Sequence, residues 1–151
     1  MSITYSDSQK DLPSGQLRRL FLEAGWSDGS ETEEQKAQFN LPFLHSTLVV
    51  SAWEGGRLVG AARVLSDHII RSILYDVIVE REYQGRGIGR ELLRRCRAHF
   101  PRTEWLVQTT PDVAAFYEKL GFEVNRDVFL TIPFDNPVKS VKEGRTDGRE
   151  I

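Results

Sequence analysis

The six residues from Gln84 to Gly89 constrain the fold of this chain most, because three of them are glycine. The residues before them, 72–79, are largely apolar and β-branched, which is typical of a buried strand. The residues after them repeat apolar side chains at helical spacing: Ile88, Leu92, Leu93 and Cys96. Glycines just before a helix let backbone N–H groups surround an anion at the positive end of the helix dipole. The pattern predicts a strand, a phosphate-binding loop and a helix.

The spacing of these glycines fits two well-known phosphate-binding loops poorly. A Walker A loop ends in Lys followed by Ser or Thr, and neither pair follows Gly89. A dinucleotide loop has the spacing G-x-G-x-x-G, but Arg90 stands where the third glycine belongs when the count starts at Gly85. The acidic residue expected about 20 residues later is missing, since residues 107–109 read Val-Gln-Thr. The spacing that remains is Q-x-x-G-x-G.

Composition and charge indicate one globular domain. The chain has 151 residues, of which 40% are hydrophobic and 28% charged, and its formal net charge is −2. Without a positive excess, or an apolar run near the roughly 20 residues of a membrane helix, we expect neither nucleic acid nor membrane as partner. Cys96 is the single cysteine and the three histidines are scattered. We therefore expect no internal disulfide, no metal site and a cytoplasmic location.

The N-terminal half predicts two helices and a hairpin. Apolar residues at helical spacing favour a first helix over residues 14–25. Thr32 and Gln35 have the spacing of a capping box, so a second helix is predicted to begin there and to stop near Pro42. Two apolar runs joined by a Gly-Gly turn predict a β-hairpin over residues 47–65.

The C-terminal half predicts a short strand over residues 105–109, and then a helix that Asp112 caps and Gly121 ends. Alternation over residues 122–133 predicts one or two closing strands. The order of all these elements favours a mixed sheet with helices on its faces, which is the α/β class.

Beyond Pro133 the sequence is mostly polar and charged. Such a composition buries too little apolar surface to order a chain. We therefore divide the sequence into one domain over residues 1–135 and a polar, mobile tail over residues 136–151.

Two motifs together carry a resemblance to a known family. The first runs from Leu74 to Gly89, and the second is Ala-Phe-Tyr-Glu-Lys-Leu-Gly-Phe over residues 115–122. Their joint spacing resembles the GNAT acetyltransferase superfamily, over roughly residues 47–133. The runs Ser-Asp-His at 66–68 and Tyr-Asp-Val at 75–77 are similar to a plant and microbial branch that includes serotonin and arylalkylamine N-acetyltransferases.

The resemblance implies an α/β (α+β) fold with a mostly antiparallel central sheet of about six to seven strands. It also implies helices on both faces, and a splayed pair of strands that binds CoA. Acetyl-CoA is the implied cosubstrate, with no metal, and the backbone of Val77, Ile78 and Val79 is expected to pair with its pantetheine arm. The residues expected to hold its pyrophosphate are Gln84, Gly85, Arg86, Gly87, Ile88, Gly89 and Arg90. Thr110 is expected to contact the cofactor arm.

The resemblance also assigns catalytic residues. Tyr117 matches the family tyrosine that lies near the thioester sulfur and protonates the departing thiolate, although its place in an apolar stripe also suits a core aromatic. Several relatives carry a glutamate at the position of Ile73, so this chain lacks that candidate base. Asp76 is the nearest carboxylate and the remaining candidate, although strand alternation directs it away from Tyr75 and Val77.

The predicted function is transfer of an acetyl group from acetyl-CoA to a primary amine, by direct attack in a ternary complex. The acceptor stays open between an arylalkylamine, a polyamine, an aminoglycoside-like drug and a protein amine. Four residues suit either an aromatic acceptor pocket or the core: Trp26, Phe39, Phe43 and Trp53. The alternative function is a non-catalytic module that binds acyl-CoA for regulation. Dimers are frequent in the family, so a homodimer is one state to expect.

Overall fold

The computed structural model describes residues 2–138. Its elements, in chain order, are β1 (Thr4–Ser6), α1 (Ser14–Glu23), α2 (Glu33–Ala37), α3 (Leu41–Leu44), β2 (Leu48–Glu54), β3 (Arg57–Ser66), β4 (Arg71–Val79), a 3-10 turn (Arg81–Tyr83), α4 (Ile88–His99), β5 (Glu104–Val107) and α5 (Ala114–Glu118). None of the described helices is long and apolar enough to span a membrane.

The five strands form one mixed sheet in the order β1–β2–β3–β4–β5. Neighbours from β1 to β4 pair in antiparallel fashion, whereas β4 and β5 are parallel. Helix α4 connects these last two strands, and such a crossover returns the chain to the same edge of the sheet in the same direction. The predicted α/β class and the mostly antiparallel sheet are confirmed.

The prediction of six to seven strands is wrong, because the described residues form five. Strand β1 lacks an apolar pattern and forms through its backbone, which pairs with residues 51–53 of β2. Residues 122–133 were predicted as closing strands, but the chain there is irregular, with Val128, Leu130 and Ile132 exposed. Alternation creates a strand only where a neighbouring strand accepts its hydrogen bonds, and this segment pairs with none of the described strands.

Apolar side chains pack on both faces of the sheet. Val77 and Val79 belong to a core cluster with residues of α4 and α5, whereas Ile78 belongs to a second cluster with residues of α1 and α3. Burial on both faces explains why three apolar residues follow one another in β4. Helices on both faces of the sheet are thereby confirmed.

Helix boundaries follow local capping. The hydroxyl of Thr32 accepts the Gln35 N–H at 3.1 Å, and the Gln35 side chain accepts the Thr32 N–H at 2.9 Å, so the predicted capping box is confirmed. The predicted stop near Pro42 is wrong: α2 ends at Ala37, and Pro42 lies in the first turn of α3, where its missing N–H has no intrahelical role.

The start of α5 also differs from the prediction. The helix begins at Ala114, and Val113, at the N-cap position, makes no side-chain cap hydrogen bond. A turn in which the Val113 N–H donates to the Thr110 carbonyl at 3.1 Å leads into the helix. Asp112, the predicted cap, lies inside this turn, one residue before the N-cap position.

Strands β4 and β5 part after a short ladder. Their pairs run from Arg71 with Glu104 to Leu74 with Val107, and β4 then continues for five residues, 75–79. Along these five residues the edge of β4 that faces away from β3 has no strand partner within residues 2–138. This separation leaves backbone hydrogen-bonding groups of β4 available.

The C-terminal segment crosses back to the loop after α1. The Asp28 N–H donates to the Pro137 carbonyl at 3.0 Å, and Ser27 forms an isolated bridge with Val138. The predicted mobile tail over residues 136–151 lies outside the described residues from position 139 onwards.

Candidate functional site

The loop between β4 and α4 has the backbone geometry of an anion-binding site. Gly85 and Gly87 have φ values of 78° and 84°, in the left-handed region that favours glycine. No heavy atom lies within 4 Å of where a Cβ on either residue would stand, so the space beside both is open. The Glu91 N–H donates to the Gly87 carbonyl at 3.0 Å, and the N–H groups of residues 88–90 precede this first helical bond. Their geometry fits a pyrophosphate at the start of the 12-residue α4.

Gln84 and Thr110, two of the predicted cofactor contacts, have buried oxygen atoms without a hydrogen-bond partner among the described residues. These atoms are Oε1 of Gln84 and Oγ1 of Thr110. An unpaired buried polar atom costs about 1–3 kcal/mol, so both atoms fit a ligand or water that supplies the missing partner. The Nε2 of Gln84 donates to the Val79 carbonyl at 3.0 Å and ties the loop to the end of β4.

The arginines around the loop divide into two groups. Arg94 and Arg95 donate to Glu91 at 2.6 and 2.9 Å, and Arg94, followed by Arg95, holds the pKa of Glu91 down to about 2. Arg86 and Arg90 are exposed and have no carboxylate partner within residues 2–138. The guanidinium of Arg86 lies over the ring of Tyr83, 5.0 Å from its centroid. Two charges near the loop are therefore available to an anion.

Glu80 anchors the point where β4 meets the loop, and the sequence did not single it out. Its buried carboxylate accepts two hydrogen bonds from Arg57 and lies 3.2 Å from Nη1 of Arg19. Its N–H donates to the Val59 carbonyl at 2.8 Å. Burial raises the pKa of Glu80, but the bonds and charges of the two arginines outweigh it and lower that pKa below its ordinary 4.5.

A cavity of about 800 Å³ opens beside the gap between β4 and β5, a size typical of small-molecule sites. Its walls come from α1 to α3, from residues 73–76 and 106–108, and from residues 129–138. Most of the lining is apolar, and three of the four aromatic residues that the sequence offered contribute to it: Trp26, Phe39 and Phe43. Trp53 lies elsewhere, and its indole N–H donates to the Ser51 hydroxyl at 2.8 Å.

Asp76 lies on the wall of this cavity, with its side chain 13% exposed and paired with Arg63. The expectation that its side chain points away from Tyr75 is wrong, because both side chains contact the guanidinium of Arg63: Asp76 pairs with it, and it lies 5.0 Å from the centroid of the Tyr75 ring. A β-bulge is the cause: Asp76 pairs with Arg63 and Leu74 with Val64, so Tyr75 is an extra residue in the ladder.

Tyr117 lies on the other face of the sheet. It is 5% exposed, packs edge-on against the rings of Phe116 and Phe122, and shares a core cluster with Val77 and Val79. It lines no part of the cavity that contains Asp76. The two predicted catalytic side chains thus flank β4 from opposite faces, and the structure does not bring them into contact.

Asp67 and His68, at the β3–β4 turn, and the lone Cys96 have structural roles. Asp67 accepts the N–H groups of residues 69–71 at 2.7 to 3.0 Å, which lowers the pKa of its carboxyl, and His68 packs against the ring of Phe100 at 5.2 Å. Cys96 is fully buried, and burial raises the pKa of its thiol to about 12, so it is no nucleophile.

A mixed sheet whose strands β4 and β5 part beside a glycine loop defines the class as an α/β domain with an anion-binding loop. The chain belongs to the GNAT acetyltransferase family, since the family profile described as Acetyltransferase (GNAT) domain matches residues 45–124. The resemblance to the GNAT acetyltransferase superfamily is confirmed.

Individual acetyltransferases are similar to this chain in sequence or in fold. The chain is 27% identical over 125 residues to an uncharacterised N-acetyltransferase, ycf52, from Porphyra purpurea, over 78% of this chain and 69% of that protein. It is 28% identical over 132 residues to serotonin N-acetyltransferase 2, chloroplastic, from Oryza sativa subsp. japonica, over 84% of this chain and 64% of that protein. A GNAT family acetyltransferase from Streptococcus pneumoniae TIGR4 superposes with a TM-score of 0.67 at 24% identity, over 89% of this chain and 98% of that one, which shows the same fold.

Proposed function

We propose that this chain transfers an acetyl group from acetyl-CoA to a primary amine by direct attack in a ternary complex. The observation that carries the proposal is the continuity of three features along β4. The cavity begins at residues 73–76, the unpaired edge follows over residues 75–79, and the glycine loop comes next. Such an arrangement suits a cosubstrate with a pyrophosphate at one end and a reactive group at the other.

Residues of β4 and the loop would hold this cosubstrate. The backbone of Val77, Ile78 and Val79 would pair with the pantetheine arm as an added strand does. The N–H groups of the loop, from Gly85 to Gly89, would hold the pyrophosphate, with added charge from Arg86 and Arg90. Bound acetyl-CoA supplies an activated acetyl thioester.

The reaction requires two proton movements. The amine nitrogen bonds to the acetyl carbon while the carbon–sulfur bond breaks; the amine loses a proton and the departing sulfur gains one. Tyr117 would donate that second proton, since an ordinary phenol is protonated at neutral pH. A backbone N–H of residues 77–79 would stabilise the negative charge that develops on the carbonyl oxygen.

Asp76 remains the candidate general base, the group that accepts a proton from the amine. Its carboxylate lines the cavity beside the gap between β4 and β5, whereas Ile73, where relatives carry a glutamate, presents only an apolar side chain there. We propose that Asp76 contacts the amine and accepts its proton directly or through water.

The test is release of CoA thiol from acetyl-CoA in the presence of a panel of primary amines: arylalkylamines, polyamines, aminoglycosides and peptide amines. We expect thiol release that depends on both protein and amine. The apolar Ile73 favours one rival, a module that binds acyl-CoA without turnover. Tight binding of acetyl-CoA with no thiol release for any amine would establish that rival.

A further inference from the structure

Among the described residues three charged ones line the cavity, and they differ in how fully their hydrogen bonds are satisfied. Both carboxylate oxygens of Glu31 accept from the Ser27 hydroxyl, at 2.8 and 2.9 Å, and Arg18 Nε donates to one of them at 2.7 Å. Glu31 is also buried and its charge is balanced by Arg18, so little of its carboxylate is accessible to a ligand. Within residues 2–138, the other two charged residues, Arg63 and Asp76, form a hydrogen-bonded ion pair with each other and with no further charged residue.

The Arg63–Asp76 pair uses a single hydrogen bond, from Nε of Arg63 to Oδ2 of Asp76. Within residues 2–138, neither Nη atom of Arg63 has a hydrogen-bond partner, and Oδ1 of Asp76 has none. None of these atoms is fully buried, and both residues line the cavity. An arginine can donate five hydrogen bonds in a fixed plane, so most of this donor capacity remains unused.

Aromatic rings hold the guanidinium of Arg63 in place. It lies 5.0 Å from the centroid of the Tyr75 ring and 5.7 Å from that of Phe43. Such contacts orient a cation and shield it from water, which strengthens its attraction to an anion. The bulge at Tyr75 is what brings this ring beside Arg63 and Asp76.

We propose that the Arg63–Asp76 pair is a receptor for a zwitterion, and that the acceptor is an α-amino acid with an aromatic or large apolar side chain. This inference rests on the proposed function. Asp76, on β4 beside the gap, binds the amine, and Arg63, one strand farther away on β3, binds the carboxylate. Because the two side chains touch, the amine and carboxylate have to lie close together, as they do on one α-carbon. The aromatic walls of the cavity contact the side chain.

The same charges disfavour polycationic acceptors. A polyamine or an aminoglycoside needs several free carboxylates. Here the charge of the buried Glu31 is balanced by Arg18, and the charge of Asp76 is balanced by Arg63. The cavity thus offers a balanced pair of charges within an apolar wall, which matches a zwitterion with an apolar body.

The first experiment compares three acceptors that differ only beside the amine: phenylalanine, phenylalanine amide and phenethylamine. We expect kcat/KM to be at least about tenfold higher for phenylalanine than for the other two, since only its carboxylate forms a charge-assisted bond with Arg63. An equal or higher kcat/KM for phenethylamine overturns the inference and leaves the acetyltransferase proposal intact. Absence of thiol release with every amine contradicts the acetyltransferase proposal instead.

The second experiment replaces the receptor residue. In Arg63→Met the preference for phenylalanine over phenethylamine should fall to about one, whereas Arg71→Met should keep the preference of the wild type. Arg71 is a suitable control because it forms an exposed pair with Glu104 at 3.2 Å, outside the cavity. Equal preference in wild type and Arg63→Met contradicts the inference.

A binding measurement tests the receptor assignment without requiring turnover or a variant. Calorimetry on the wild-type protein should detect phenylalanine, and 3-phenylpropanoate, which keeps the carboxylate but lacks the amine, should compete with it. Phenethylamine should bind at least about tenfold more weakly than phenylalanine. Binding of phenethylamine as tight as that of phenylalanine overturns the receptor assignment.

Discussion

At the scale of single residues, Glu80 forms a buried ion-pair cluster with two arginines beside the site. Its buried carboxylate joins Arg57 on β3 and Arg19 on α1 to the end of β4. Both arginines are partly exposed and can be hydrated without it, whereas the carboxylate itself has little access to water. The main function of Glu80 is therefore to fix the strand from which the loop departs.

Glu80→Gln should lower the free energy of unfolding at neutral pH by about 1–3 kcal/mol, because it removes the charge-assisted acceptor. Since the folded-state pKa of Glu80 lies below its ordinary 4.5, its contribution is present above that value and is lost as the pH falls through the folded-state pKa. Denaturant unfolding should therefore show that the difference in free energy of unfolding between wild type and variant becomes smaller below pH 4.5.

The matched control is Glu104→Gln, which breaks the exposed pair with Arg71. Exposed pairs contribute about 0–1 kcal/mol, so this variant should unfold almost as the wild type does. Equal destabilisation by the two variants would contradict the assignment of Glu80 as an anchor.

Tyr117→Phe tests the proton donor. The substitution keeps the buried ring and its packing against Phe116 and Phe122, and removes only the hydroxyl. We expect kcat to fall about a hundredfold, with the Kd for acetyl-CoA little changed. Steady-state thiol release over a range of pH, with calorimetry for Kd, checks this. An unchanged kcat at every pH would refute the acid assignment.

Residues differ in how far the sequence reveals them. Gly85 and Gly87 are predictable because their spacing before a helix has a direct backbone meaning, and both have positive φ. Arg63 is one charged residue within an apolar run and carries no sequence signal of its own, and its proposed role depends on a bulge that shifts Tyr75 toward it. A bulge changes the alternation that strand patterns assume, so side-chain contacts of this kind follow from tertiary structure.

At the scale of elements, the turn into α4 is the unit on which the proposed binding of acetyl-CoA depends. Gly87→Val should reduce the affinity for acetyl-CoA at least about tenfold, or 1.4 kcal/mol, because the side chain enters the space beside the loop N–H groups. The strain of a side chain at φ 84° adds about 1–3 kcal/mol of destabilisation. Calorimetry with acetyl-CoA and thermal unfolding measure the two effects.

Gly55→Val separates strain from ligand binding. Gly55 also has positive φ, 57°, and open space around it, but lies in the β2–β3 turn. This variant should lose stability while keeping its affinity for acetyl-CoA. Equal loss of affinity in both variants would mean that strain alone explains the effect of Gly87→Val.

Elements with their own local signals were predictable, and those that depend on a distant partner were not. The capping box at Thr32 specifies the start of α2 by itself, and the apolar repeat of α4 matches its helix closely. Strand β1 forms only because β2 offers it an edge, and residues 122–133 stay irregular because no described strand pairs with them. Pairing is a tertiary property that alternation along one segment does not contain.

On the scale of the whole molecule, the cavity is assembled from segments that lie far apart in the sequence. Residues of α1 to α3 form one wall, and the segment over residues 129–138 returns to Asp28 and completes another. Neither segment carries a diagnostic motif, which is why the sequence predicted an anion-binding loop but left the acceptor open. The position of the cavity emerges only when these segments meet.

The aromatic residues of the returning segment should affect acceptor binding more than stability. Phe129 and Phe134 line the cavity but are largely exposed. Replacing both with Ala should raise KM for the acceptor about two- to tenfold, the effect of losing contacts worth about 0.5–1.5 kcal/mol, with Kd for acetyl-CoA unchanged.

Val128→Ala with Ile132→Ala is the matched control, because both residues are exposed on the same segment and lie outside the cavity lining. Its acceptor KM should equal that of the wild type. An equal rise in acceptor KM for both double variants would contradict the position of this wall.

The most direct measurement of the central claim is the mass spectrum of an amine acceptor after incubation with the protein and acetyl-CoA. The proposed function predicts that the acceptor gains one acetyl group on nitrogen, with one equivalent of CoA released per product. The contrary result is a protein that binds acetyl-CoA tightly while the amines of the acceptor panel, amino acids included, remain unmodified.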